Sequence, residues 1–175
     1  MINDPSIDCI YNPLPNGLHY KWTLAAQEAR SLFHHQLLSA PDAPVLVEAS
    51  HYRFHPAWHL FLAQFKKDKV EKASARAGLP KGGFPSTDIR YKYDLAGGTA
   101  MDLGHYTLSA LRGVFGTEPT DVTSATPRLI HPPHDQRCDQ AMDATYAFPN
   151  GGTGHISADL GARGGYCKCP CTNYM

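Results

Sequence analysis

No apolar run in this sequence approaches the ~20 residues that a membrane-spanning helix needs, so membrane insertion is not expected. Neither sign of charge is in excess. The 16 basic residues balance 16 acidic ones and the sequence pI is about 7.1, so the basic footprint of a nucleic-acid binder is missing. Met1–Ser6 has neither the basic start nor the apolar run of a secretory signal. Cysteine is scarce and unevenly placed. There are five: Cys9 and Cys138 stand alone, and Cys167, Cys169 and Cys171 alternate near the end. A disulfide framework would be even and dispersed, and a structural zinc site would carry C-x-x-C pairs. The histidines do not change this, because none of their four-residue pairs has a carboxylate beside it. We therefore expect reduced thiols, no metal and a cytoplasmic chain. What is present is enough apolar content, 42% against 18% charged, to bury a core. At 175 residues the length suits one domain, or one domain plus a fragment of another.

Periodicity divides the chain into elements. D-C-I-Y at Asp8–Tyr11 reads as a short strand, broken at once by Asn12-Pro13-Leu14-Pro15-Asn16-Gly17. From His19 a helical stripe follows through Trp22, Ala25, Ala26, Ala29, Leu32, Phe33 and Leu37. Ser39–Pro44 stops it, and Pro44–Ala49 reads as a strand. Pro56–Phe65 is a second amphipathic helix with proline in its first turn. Val70–Ala77 suits strand or loop, and Leu79–Asp88 is a loop. A third helix covers Met101–Val114, after Gly97-Gly98. Strands are expected near Asp121–Ala125 and Asp139–Phe148, and Asn150-Gly151-Gly152 turns the chain into another at Gly154–Leu160.

Three clusters could carry chemistry. The turn stiffened by Pro13 and Pro15 would hold Asn16 and His19 beyond a strand's carboxyl end, where α/β proteins bind ligands; a tight turn with capping asparagines fits equally. In Gly97-Gly98-Thr99-Ala100-Met101-Asp102-Leu103-Gly104-His105-Tyr106, the four-residue step puts Asp102 and Tyr106 on one helix face, with His105 pointing elsewhere. An acid beside a phenol can act on an alcohol or carbonyl, with Tyr106 moving the proton and Asp102 orienting; a buried core tyrosine is the plainer alternative. Glu48–Pro56 (E-A-S-H-Y-R-F-H-P) follows a strand, and Arg53 would anchor an anionic or polyhydroxylated ligand unless the loop is merely solvated. No spacing argument brings Arg90 or Lys92, before the glycine pair, to the helix.

Taken in order, I-Y-N-P-L-P-N-G-L-H, E-A-S-H-Y-R-F-H-P, G-G-T-A-M-D-L-G-H-Y, L-R-G-V-F-G-T-E-P and F-P-N-G-G-T-G-H-I resemble the Gfo/Idh/MocA oxidoreductases over about Ile7–Gly165. Tyrosine rather than histidine four residues after the aspartate resembles the dimeric dihydrodiol dehydrogenase and NADP-dependent D-xylose 1-dehydrogenase branch. The resemblance implies Asp102 and Tyr106 as catalytic residues, and Pro13, Leu14, Asn16, His19 and Arg53 as cofactor-side residues. It implies NADP, with NAD as the alternative, a sugar or trans-dihydrodiol substrate, and a homodimer formed through an apolar sheet face. The expected fold is an α/β remnant plus α+β: a partial Rossmann piece at 1–43, then a mostly antiparallel open-faced sheet with helices on one side at 44–165, and an irregular tail at 166–175. The family's G-x-G-x-x-G and its E-K-P lysine have no counterpart here. Impaired turnover is therefore expected, with a non-catalytic domain that associates with intact relatives as the alternative.

Overall fold

The computed structural model describes Asp4, Ser6, Ile7, residues 9–31, Val47 and residues 49–162. Four strands form one sheet: β1 (Lys72–Pro80), β2 (Asp121–Leu129), β3 (Asp139–Ala147) and β4 (Thr153–Ala162). Their spatial order is β1-β4-β3-β2. β2–β3 and β3–β4 pair antiparallel, while β1 lies parallel to β4, so the sheet is mixed and mostly antiparallel. The expected open-faced sheet with helices on one side is present. Helix α1 spans Asn16–Ser31, α2 spans Pro56–Leu62 and α3 spans His105–Phe115.

Alternation in β4 sets the core. Gly154, Ile156, Ala158 and Leu160 are buried, and His155, Ser157 and Asp159 between them are not. On the buried face α3 lays Leu111 and Phe115, four residues apart, against Ala144, Phe148 and Ile156. The Phe115 and Phe148 rings stack 3.8 Å apart. Burying each of these large side chains contributes roughly 1.5–3 kcal/mol. A second cluster, Tyr91, Ile130 and Cys138 with Phe84 against it, closes the far end. The β3–β4 turn is locked by Gly151 in the left-handed region and by the Asn150 side chain. That side chain accepts from the Gly152 N–H at 3.0 Å and donates to the Val70 carbonyl at 3.0 Å, fastening the turn to the approach to β1.

The opposite face of the sheet corrects an expectation. In register it carries Ser74, Arg76, His155, Ser157, Asp143, Thr145, Ser124 and Thr126, so it is polar and not apolar. Arg128 reaches across Ala141 to Asp159 at 2.6 Å, and Thr145 meets His155 at 3.3 Å. The apolar face was an implication of the family resemblance, whereas the two-residue strand period places these polar residues together on one face.

Other boundaries shift. Residues 9–11 form no strand, because the following loop folds back on α1 through side-chain bonds: Asn12 donates to Thr23 Oγ1 at 3.1 Å and to the His19 carbonyl at 3.4 Å. Trp22, placed in the buried stripe, is 42% exposed, since the helical element that α1 mainly meets is the short 3-10 turn Tyr93–Leu95. Helix α2 stops at Leu62, short of Phe65, and β1 extends through Leu79 and Pro80. Leu32, Phe33, Leu37, most of the expected 44–49 strand and the 166–175 tail lie outside the described residues.

Candidate active site

The site is built where the chain enters α3. Gly98 has φ of 114°, which favours glycine, and a Cβ there would collide with Asp139 Oδ1. A Cβ at Gly97 would lie 2.7 Å from the Ile89 and Arg90 carbonyl oxygens. With no side chains in the way, the segment doubles back: Gly97 N–H donates to the Lys92 carbonyl at 3.0 Å, and Gly98 N–H to the Arg90 carbonyl at 2.8 Å. Asp139 then holds the helix entrance. Its Oδ2 accepts from the Ala100 N–H at 2.8 Å, and the buried Thr99 hydroxyl donates to the Gln140 carbonyl at 2.5 Å. Burial pushes the Asp139 carboxyl above the usual carboxylate range, outweighing the backbone N–H bonds that favour its charge.

The doubling-back brings Arg90 to Asp102, against the expectation from spacing. Arg90 Nε donates to Asp102 Oδ2 at 2.7 Å, and Nη1 donates to Asp88 Oδ1 at 3.1 Å. The guanidinium also lies 4.0 Å from the centre of the Phe84 ring. Partial burial works against its charge, but hydrogen bonds and attraction from Asp102 and then Asp88 prevail, so Arg90 stays protonated more firmly than a free arginine. Asp102 sits in a π-helical turn, Ala100–Gly104, and Tyr106 in the first α-helical turn after it. Such widened turns recur at functional sites. The two side chains take different partners, Arg90 for Asp102 and the rings of His51 and Tyr52 for Tyr106.

Tyr106 belongs to an aromatic group with His51 at 6.2 Å, Tyr52 at 6.2 Å and His105 at 5.1 Å between ring centres. The 3-10 turn His51–Phe54 is stitched to α3 on both sides of Tyr106. Ser50, 2% exposed, bonds through Oγ to His105 Nε2 at 2.8 Å, and Tyr52 Oη donates to Ser109 Oγ at 2.8 Å. His105 is thus a member of the cluster and does not point elsewhere. Arg53, on the same turn, is exposed and forms no ion pair with described residues. Asn16, at the start of α1, donates to the Met101 carbonyl at 3.4 Å, beside Asp102. Gly17 lets this happen, because a Cβ there would meet the Leu95 carbonyl carbon at 3.0 Å. His19 Nε2 bonds to the Leu14 carbonyl, inside its own loop, while Pro13 and the Leu14 side chain face outward.

The structure therefore brings Asp102, Tyr106 and Asn16 around the head of one helix, with the Arg53 turn tied to it. Arg90, Asp139, Ser50 and His51 also belong to this arrangement. No local spacing marks Arg90 or Asp139. Their approach is tertiary, and the glycine pair is the one sequence feature that points to it.

Comparison with known proteins agrees with this architecture. The GFO/IDH/MocA C-terminal domain model matches residues 44–173. The chain is 34% identical over 181 aligned positions to D-xylose 1-dehydrogenase (NADP(+)) 2 of Haloferax volcanii, covering 91% of this chain and 52% of that protein. Aldose–aldose oxidoreductase of Caulobacter crescentus, solved with glycerol, superposes with a TM-score of 0.72 at 21% identity, over 91% of this chain and 53% of that one. A 3-ketoreductase from Actinomadura kijaniata, solved with NADP, gives 0.72 at 21% identity over 92% and 53%. The chain spans about half the length of these proteins. With a family model over most of its residues and the fold those structures share, the chain belongs to the GFO/IDH/MocA oxidoreductase family.

Proposed function

We propose that this chain carries the substrate half of an NADP-linked active site that oxidises a CH–OH group, with D-xylose converted to D-xylono-1,5-lactone, or a trans-dihydrodiol, as substrate. Residues 44–165 form the substrate domain and 1–43 the cofactor side, in a cytoplasmic protein that dimerises through the open sheet face. The observation that carries the reading is the Asp102 carboxylate fixed by Arg90 at 2.7 Å one helical turn before Tyr106. Asp102, unable to swing away, accepts a hydrogen bond from a sugar hydroxyl and sets the ring's orientation. Tyr106 Oη, as phenolate, takes the proton that leaves the reacting hydroxyl.

When bound, the nicotinamide dinucleotide supplies the hydride acceptor. The residues present fit part of it. Arg53 offers a guanidinium, not paired with described residues, to a phosphate, and Asn16 offers an amide beside Asp102. No G-x-G-x-x-G occurs in the 175 residues, so that grip on the pyrophosphate is not supplied by them. A free phenol ionises near pH ~10, and Arg90 is already matched by two carboxylates, so the proton step needs a further cation. The E-K-P lysine implied by the family resemblance would provide it. Turnover by the chain alone is therefore weak or absent. The same gap favours a second reading, a non-catalytic domain that associates with intact relatives.

The test compares the chain alone with the chain joined to the nucleotide-binding half of the Haloferax volcanii relative, following NADP reduction with D-xylose and with a trans-dihydrodiol. Activity in the joined protein supports the first reading. Inactivity there, with both halves folded, supports the second, as does failure of the chain alone to bind NADP if the joined protein also fails.

A further inference from the structure

Both edges of the sheet are open among the described residues, but they are not alike. The β2 edge is blunted: its register breaks between Val122 and Ser124 and again between Arg128 and Leu129, and Pro127 has no N–H to offer. The β1 edge runs from Lys72 to Gly78 in unbroken register, and its first proline is Pro80. A groove of about 810 Å³ lies along it, between α2 and α3. Trp58, Phe61 and Phe65 form the wall, and Ala110, Leu111 and Val114 the floor. The wall is a continuous aromatic row, with Trp58 stacked on Phe61 at 5.5 Å and Phe61 edge-on to Phe65 at 5.3 Å. Phe61 remains 50% exposed. From β1 the apolar side chains lining the groove are Ala73 and Ala75, which leave the space open, while Lys72 and Ser74, with Lys69 and Glu71 just before the strand, line its polar rim. Lys72 and Arg76 are exposed and make no ion pair with described residues.

We infer that the open edge of β1 accepts an extended peptide segment as an additional strand, with its apolar side chains in the groove and acidic side chains against Lys72 and Arg76. Main-chain bonds to an open edge supply affinity, and alternate side chains supply specificity. Charge selects the occupant. Two copies of β1 paired antiparallel about Ser74 would set Lys72 opposite Arg76 of the other copy, and like charges directly opposite are destabilising. An acidic strand meets the same pair of cations favourably. The competing use of such charges is to keep an edge unpaired.

The test titrates the isotope-labelled full chain, carrying Trp22→Phe so that fluorescence reports Trp58, with a capped peptide of alternating valine and glutamate about one strand long. The result expected is saturable movement of the Lys72–Gly78 amide signals together with a change in Trp58 emission. A valine–lysine peptide should not bind. K72E/R76E should weaken the glutamate peptide roughly tenfold and transfer preference to the lysine peptide, as two reversed cross-strand pairs imply. Phe61→Ser, at a half-exposed position, should weaken both without unfolding the chain. Absence of saturable binding, equal binding of the two peptides, movement at the β2 edge instead, or a peptide-free dimer joined through β1 would each overturn the inference.

Discussion

Removing Arg90 is the sharpest perturbation of the site, because one side chain holds the carboxylate on which the mechanism depends. Arg90 and Asp102 are 2.7 Å apart with side chains 30% and 21% exposed, between a surface pair and a buried one. An exposed pair contributes about 0–1 kcal/mol, whereas breaking a buried one costs about 3–5 kcal/mol. A charge-assisted hydrogen bond at intermediate burial lies near 1.5–2 kcal/mol. Loss of the guanidinium from the Phe84 ring adds about 0.5–1 kcal/mol. Arg90→Ala should therefore destabilise the fold by about 2–3 kcal/mol, lowering Tm by roughly 6–10 °C. Arg90→Lys keeps the charge but not the fork or the stack, and should cost about half as much. A urea-denaturation cycle with Asp102→Asn isolates the pair, and its coupling energy should be about 1–2 kcal/mol. Coupling below about 0.5 kcal/mol, with the single losses simply adding, would refute the claim that Arg90 fixes Asp102.

Other consequences can be checked by the same denaturation measurements. Ser50→Ala leaves His105 Nε2 without its partner and should cost about 1 kcal/mol, and Tyr52→Phe, which releases Ser109, a similar amount. Gly98→Ala meets both a left-handed φ and Asp139, and should cost about 3 kcal/mol or more, while Gly82→Ala, with open space around a similar φ, should cost only about 1–2 kcal/mol. Asp139 has its pKa raised by burial, so the stability linked to its proton is present at low pH and lost as pH rises through the raised folded value. Asp139→Asn keeps an acceptor for the Ala100 N–H without the buried charge, so from about pH 4 to pH 7 stability should shift in favour of the variant; a shift the other way contradicts the assignment.

Elements bounded by glycine turns were legible in the sequence. Gly97-Gly98 marked the entrance to α3, and Asn150-Gly151-Gly152 marked the β3–β4 hairpin. Val70–Ala77 suits strand or loop in sequence because most of its apolar positions are alanines, whose small side chains give a weak signal. The strand expected at Asp8–Tyr11 is absent over the described residues 9–11, because a short apolar run needs a pairing partner and Asn12 instead bonds the His19 carbonyl and Thr23. In the site, Asp102 and Tyr106 came from spacing within one helix. Arg90 could not, since its approach depends on a chain reversal at Gly97-Gly98 that spacing does not encode. His105 was misdirected by an ideal-helix projection, which ignored that a residue from another segment, Ser50, could reach it.

The account rests most heavily on Tyr106 as the group that takes the substrate's proton. The direct measurement is the rate of NADP reduction with D-xylose by the chain joined to the Haloferax volcanii nucleotide-binding half, with and without Tyr106→Phe. Removing a general base typically costs about 10²–10⁴-fold. The account predicts a fall of at least about 100-fold in kcat with KM little changed and the variant still folded; an active joined protein whose rate is unaffected by Tyr106→Phe would contradict it.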